Sequence, residues 1–295
     1  MTETLLPTYM TDQRSQFDIA FVGGGLSSTW SLIQLVQNLP SERVTPALRL
    51  LLLEKSTDTY KGIAYGERSG DTALIINSLG DFLPPDELKR FTEWIVKNID
   101  WLFDRFKASG GARTTEWLRK HAAEIEAGEL SMLYIPRYLF GLYLENLASI
   151  CLDTATANGL VEFEAIQAEV IDLVPGSDNY RIHAESCDMS HHEYLASKVI
   201  LGLGSPPGKK VVTKADLEHQ SDPVIGNPFE PSMRATLESV HSRLEQTCRE
   251  SNRVLIVGSN ASAVDMVCNL ADYKNVIELI DTVVLMSPSG ELPDR

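Results

Sequence analysis

Residues 17–28 read FDIAFVGGGLSS. The first half, residues 17–22, is a short apolar run of strand type, and residues 23–28 form a glycine turn. TWSLIQLVQNL follows, with Trp30, Ile33, Leu35 and Val36 at helix-like spacing, and Pro40 ends it. The next apolar run, residues 50–53, closes on Glu54. Strand, glycine turn, helix and strand in this order predict a βαβ unit, because two parallel neighbours need a crossover between them.

GGGLSS has the G-x-G-x-x-S form of a dinucleotide-binding turn. Gly23 permits the tight turn, and Gly25 lets the backbone approach a pyrophosphate. The helix beginning near Leu26, with Ser27 and Ser28 in its first turn, points free N–H groups at negative charge. Ser28 stands where a third glycine is usual and is small enough for close helix–strand packing. Glu54 ends the second strand, where a carboxylate can hold ribose hydroxyls and repel a 2′-phosphate, which suits FAD or NAD. It lies 29 positions after Gly25. The usual gap is about 20, and the loop at residues 40–46 absorbs the excess. A bare structural turn with a solvated strand-end carboxylate is the competing reading.

Beyond Glu54 the chain is loop-rich to Pro85. Asp86 opens a helix carrying Phe91, Trp94, Ile95 and Leu102, and SGGAR at residues 109–113 interrupts it. Helices are expected over residues 115–127 and 137–157. Residues 161–174 and 180–184 read as strands of a hairpin around PGSDN. Residues 198–203 form a buried strand ending at Gly204, residues 209–231 a polar linker, and residues 232–250 a helix. A second strand, turn, helix and strand follow in VLIVGSNASAVDMVCNL and TVVLMS. In that turn, residues 258–263, Asn260 replaces the middle glycine. Asparagine tolerates a left-handed backbone, but its Cβ hinders a pyrophosphate. The following MSPSG offers neither a cation for a 2′-phosphate nor an acid for a ribose. Nicotinamide binding and a packing turn both stay open there.

With 26 Lys+Arg against 41 Asp+Glu, the 295 residues carry a net charge of −15. That balance argues against non-specific binding of nucleic acid or of an anionic membrane, both polyanions. Hydrophobic residues at 43% and charged residues at 23% are ordinary globular usage, so disorder and coiled coil are excluded for the whole. Cys151, Cys187, Cys248 and Cys268 form no CxxC pair, so reduced cysteines in a cytoplasmic chain are expected. The first residues lack the basic and apolar regions of a signal peptide, and no apolar run approaches the ~20 residues of a membrane helix. His191-His192, read as a polar turn, has no third ligand at a recognisable spacing, so no metal is expected. Ser27 and Ser205 lack a His–Asp partner. Arg137, at a helix start after Pro136, can bind an anion or pair with a nearby acid.

In order along the chain, further segments carry a resemblance. GIAYG at residues 62–66 resembles a G-x-A-Y segment, LIIN ending at Asn77 a short apolar–Asn element, and FTEWI at residues 91–95 a Phe-x-x-Trp helix. YIPRYLFGLYL at residues 134–144 is similar to a Pro-Arg…Tyr/Phe-Gly…Tyr-Leu helix. VILGLGSPPG at residues 199–208 and MSPSGELP at residues 286–293 complete the set. With the two glycine turns, these segments resemble the FAD–NAD(P)-binding flavoproteins related to the N-hydroxylating and Baeyer–Villiger-type monooxygenases. The resemblance implies an α/β, Rossmann-like FAD/NAD(P)-binding fold with a helical insertion and a small β-hairpin or meander. It implies FAD on Gly23, Gly25, Ser27 and Ser28, with its ribose on Glu54. It places the backbone at Val170 against the adenine, Gly204 near the pyrophosphate, and a nicotinamide nucleotide at Gly258, Asn260 and Ala263. Pro288 stands where the family carries an arginine, which puts NADP preference in question.

Residues 1–250 are then an FAD-binding domain with a helical insertion at about 86–158, and residues 251–295 begin a second NAD(P)-binding βαβ unit. That unit is incomplete, because a nucleotide-binding half needs βαβαβ. The expected activity is that of an FAD-dependent oxidoreductase, an NAD(P)H-driven monooxygenase acting on a small-molecule substrate. The alternative is a non-catalytic dinucleotide-binding protein whose site a partner subunit or oligomer completes. A third reading is an NAD-only Rossmann enzyme using the first turn.

Overall fold

The computed structural model describes residues 16–40, 46–70, 73–109, 111–204, 224–230, 232–247 and 251–292. Ser205 and the rest of the SPPG segment, most of the polar linker, Cys248 and Pro293 lie outside the described residues. In chain order the elements are β1 (Gln16–Val22), α1 (Leu26–Gln37), β2 (Leu48–Glu54), α2 (Gly62–Tyr65), α3 (Leu79–Phe82), α4 (Pro85–Ser109), α5 (Ala112–Lys120), α6 (Ala122–Ala127) and α7 (Arg137–Ala157). They continue with β3 (Val161–Pro175), β4 (Tyr180–Ser186), β5 (His191–Leu201), α8 (Met233–Glu245), β6 (Arg253–Val257), α9 (Ala261–Asp272), α10 (Lys274–Ile277) and β7 (Thr282–Met286). Two compact units result, residues 1–62 with 144–208 and residues 63–143 with 209–295. Each is assembled from two stretches of chain, where the sequence reading draws one boundary at residue 250.

In the first unit, β3, β2, β1 and β5 lie side by side in parallel. β3 is long enough to serve two partners. Val161–Gln167 pair with β2, and beyond them the strand runs antiparallel to β4, with a register shift between Val170 and Asp172. β5 likewise pairs with β4 at its start and with β1 at its end, which closes the five strands into a ring. Residues 50–53 of β2, all leucine, are buried on both faces, as a parallel strand requires. Leu51 and Leu53 pack inward with Phe17, Ala20, Ile182, Ala184 and Ala196. Leu50 and Leu52 pack outward against Leu32 and Val36 of α1 and Leu152 and Ala155 of α7. Fully burying a leucine is worth roughly 1.5–3 kcal/mol, so this strand anchors both layers.

Two local expectations are corrected. β5 starts at His191, so the histidine pair belongs to the strand, with His192 opposite Ala184, and both are half-buried. The helix expected over residues 115–127 is two helices that break at His121, whose φ and ψ of −109° and 14° leave the helical region.

The second unit holds α4 to α6 and the β6–β7 pair. α4 starts on Pro85 with Asp86 and Glu87 in its first turn, a composition that suits the positive end of a helix. Glu87 is buried and accepts from Tyr143 Oη and Arg90, and burial raises the Tyr143 phenol. Phe91 packs edge-on against Phe140 and Tyr143, and Phe106 edge-on against Trp117. β6 and β7 run parallel, and Val254 and Ile256 pack with Met233 and Leu237 of α8, Leu270 of α9 and Val276 of α10. Among the described residues no helix is long and apolar enough to cross a membrane.

Candidate functional site

In the first unit, β1 lies between β2 and β5, and α1 carries the chain from β1 to β2. Ligands of open α/β sheets bind at the carboxyl ends of such strands, where the strand order turns. Gly23 has φ +91°, a conformation that favours glycine, and its N–H donates to Leu53 O at 2.8 Å. A Cβ at Gly23 would overlap the carbonyl oxygen of Gly202, whose own N–H donates to Val22 O. The Gly24 N–H donates to Glu54 Oε2 at 2.6 Å, and the Ser56 N–H to Glu54 Oε1 at 2.8 Å. Glu54 therefore ties the turn to the loop after β2, and each of its oxygens keeps a further lone-pair site.

Gly25 precedes α1, whose first turn contains no acid and receives no side-chain cap from it. Ser27 is exposed there. Ser28 is buried, and its Oγ has no hydrogen-bond partner. A Cβ at Gly202 would overlap that hydroxyl, so Gly202 and Ser28 together set how closely α1 approaches the end of β5. The role expected of a third glycine is thus shared between a serine on the helix and a glycine just past the end of β5.

Beside Glu54 a cavity of about 310 Å³ is lined by Leu52, Glu54, Ser56, Thr57, Thr59 and Ala165–Gln167. It adjoins the carboxyl end of β2 and the first half of β3. Val170 is not among its lining residues; it sits farther along β3, opposite Ala184. Gly204 follows β5 with φ +69° and open space where a Cβ would stand.

The contacts of one further part of this site have no counterpart in the sequence reading, which took GIAYG at residues 62–66 only as a point of resemblance. Tyr60 and Gly62 have φ of +74° and +63°, and a Cβ at Gly62 would lie 2.9 Å from Gly25 Cα. Tyr60 O accepts from Thr29 Oγ1 of α1 at 3.0 Å. Between them, Lys61 is buried and pairs with Asp58 at 2.7 Å and Glu145 at 3.0 Å. No local spacing marks this pairing, since Glu145 is 84 positions from Lys61.

In the second unit, Gly258 follows β6 with φ +119°, and its N–H donates to Met286 O at 2.7 Å. Asn260 has φ −85° and caps α9, its Oδ1 accepting the Ala261 N–H at 2.8 Å. Its role here is helix capping rather than the left-handed backbone weighed from the sequence. Ala263 is buried in the first turn of α9. Asp265 pairs with Arg137 at 2.9 Å, so the ion-pair reading of Arg137 describes its position. Burial raises the Asp265 carboxyl, and the Arg137 charge opposes the rise. Among the described residues no group of three or more His, Cys, Asp or Glu is placed to hold a metal.

The chain is 28% identical to an uncharacterised protein of Mycobacterium tuberculosis over 282 residues, which is 94% of this chain and 52% of the relative. It thus spans about half the length of the curated relatives it matches. Among solved structures, it is similar to an ornithine N-hydroxylase of Kutzneria sp. 744 with a TM-score of 0.52 at 17% identity, over 92% of this chain and 53% of the other. The reduced ornithine hydroxylase of Pseudomonas aeruginosa gives 0.51 at 15% identity, over 91% and 54%. These likenesses establish a shared fold, the Rossmann-like α/β architecture of flavoproteins. A family profile described as FAD-NAD(P)-binding matches residues 20–206, well over half of the sequence, starting within β1 and running past β5, and the chain belongs to this FAD-NAD(P)-binding family.

Proposed function

We propose that the first unit binds FAD and that the protein is a flavin-dependent oxidoreductase, of the NAD(P)H-driven monooxygenase type, acting on a small-molecule substrate. The observation that carries this reading is the position of Glu54. Its carboxylate joins the glycine turn to the wall of the 310 Å³ cavity, next to a helix start that no acid occupies. An adenosine diphosphate moiety needs these three parts together: a pyrophosphate cradle, a ribose acceptor and a pocket for the base. In this reading Gly23, Gly25, Ser27 and Ser28 hold the pyrophosphate and Glu54 the ribose. Ser56, Thr57, Thr59 and residues 165–167 surround the adenosine, and Gly204 approaches from β5. FAD, when bound, supplies the hydride and electron transfer, while the chain supplies orientation and electrostatics. That two solved neighbours are ornithine hydroxylases motivates a small, polar amine-bearing substrate class as the first to be screened.

Reconstitution with FAD tests the reading. A saturable, protein-bound flavin spectrum is expected, and a protein that stays colourless contradicts it.

A second reading, nucleotide binding without NAD(P)H-driven reduction, is favoured by one observation. The Asn260 amide oxygen occupies an N–H at the start of α9, a group that the phosphates of a nicotinamide nucleotide at Gly258, Asn260 and Ala263 would otherwise use. Stopped-flow mixing of the FAD-bound protein with NADH and NADPH separates the two. Rapid bleaching supports the oxidoreductase, and persistent yellow colour supports the second reading.

A further inference from the structure

We propose that Lys61 is a positioning residue for nucleotide binding: its ammonium, held between Asp58 and Glu145, fixes the bend that seats Gly62 against Gly25. The proposal rests on the FAD-binding reading of the first unit. The Lys61 side chain is 8% exposed, and that of Asp58 is 14% exposed. Burial alone would push the lysine toward its neutral form, but the bonds that its ammonium donates to Asp58 and Glu145 outweigh it and raise its pKa, so the cation persists.

The charge sits inside a backbone that resists its own shape. Tyr60, with φ +74°, occupies a region that side chains with a Cβ rarely adopt, and such a residue persists only where its surroundings impose it. Here the surroundings are specific. The Tyr60 carbonyl is tied to Thr29 of α1, the tyrosine packs in the layer shared by α1 and α7, and the next residue is pinned by charge to Glu145 of α7. Gly62 then lies against Gly25, at the start of the helix whose N–H groups face the pyrophosphate. The same segment contributes Ser56, Thr57 and Thr59 to the cavity wall. One buried cation therefore sets both the cover of the phosphate turn and one side of the adenosine pocket.

The test uses the full chain, with FAD affinity measured by flavin fluorescence and hydrogen exchange measured on the nucleotide-free protein. Lys61→Met removes the cation that bridges Asp58 and Glu145. FAD affinity is expected to fall about tenfold to a hundredfold, the range set by releasing a strained backbone. Exchange is expected to rise over residues 56–64 while the strands of the ring keep their protection. Lys61→Arg, which keeps the charge, is expected to recover most of the affinity and protection, which a loss of packing alone would not allow. Should Lys61→Met not fold, Glu145→Gln removes only the half-exposed partner, and smaller changes in the same directions are expected. Unchanged affinity and unchanged exchange in these variants overturn the proposal. If the wild-type chain takes up no FAD, the functional reading fails, and exchange over residues 56–64 alone decides on the clamp: a local rise supports it and no change overturns it.

Discussion

A methyl group at Gly202 tests how the nucleotide turn is packed. Gly202 is absent from the glycines with positive φ, so Gly202→Ala incurs a steric cost and no left-handed penalty. The new Cβ would overlap Ser28 Oγ outright, while Ser28 Cβ and Gly23 O would lie at 3.2 and 3.3 Å, tight but relievable by small shifts. Overpacking of this kind costs about 1–3 kcal/mol. Ser28 Oγ has no hydrogen-bond partner, so Ser28→Ala forfeits no bond, and its own effect should stay within about 1 kcal/mol. In the double variant the overlap is gone and only the two tight contacts remain. The pair should therefore be non-additive by about 1–2 kcal/mol, with the double variant close to Ser28→Ala alone. Urea unfolding of the four proteins, followed by circular dichroism, measures this coupling. Additive effects, with coupling below about 0.5 kcal/mol, would refute the claim that Ser28 and Gly202 jointly limit the approach of α1 to β5.

Further perturbations separate stability from binding. Glu54→Ala should destabilise even the nucleotide-free protein by about 1–3 kcal/mol, because the Gly24 and Ser56 N–H groups lose a charged acceptor; equal unfolding midpoints would contradict it. Asn260→Gly should cost the α9 cap only a few tenths of a kcal/mol, against about 1 kcal/mol for Asn260→Ala. If the cap obstructs phosphate, Asn260→Gly should also tighten binding of a nicotinamide nucleotide, measured by calorimetry. Arg137→Met should destabilise by about 1–3 kcal/mol at neutral pH, because Asp265 is left charged and largely buried. The sign of its pH dependence follows from the raised Asp265 pKa. The folded state holds that proton more tightly than the unfolded chain, so the carboxyl favours folding in acid, and this advantage is lost as pH rises through the folded pKa. Removing Arg137 lifts that pKa further, so the deficit should be largest near neutrality and shrink in acid. A deficit independent of pH would contradict the pairing.

What the sequence disclosed follows from how locally each feature is encoded. The βαβ unit is legible because an apolar run, a glycine turn and helical periodicity lie within residues 16–54, and α7 is bounded as expected by Pro136 and the polar residues after Ala157. The dual role of β3 is not legible. Its alternation specifies a strand, but nothing local marks the change of partner, from β2 through Gln167 to β4 from Ala168 onward. The start of β5 is not legible because HHEYLAS opens on polar residues, which pair with β4 across the ladder. The Asp58–Lys61–Glu145 cluster and the Arg137–Asp265 pair join residues far apart in the chain, and no local spacing marks them. The glycine at position 62 is the available signal for the bend, since its own φ of +63° is one that favours glycine.

The most direct measurement is a calorimetric titration of FAD into the purified chain, repeated with Glu54→Gln. Saturable binding at one FAD per chain is expected, weakened about tenfold or more when the acceptor for the ribose and the glycine turn loses its charge. No saturable binding to the wild-type chain, or equal affinity in the variant, would contradict the assignment of the Glu54 site to the flavin nucleotide.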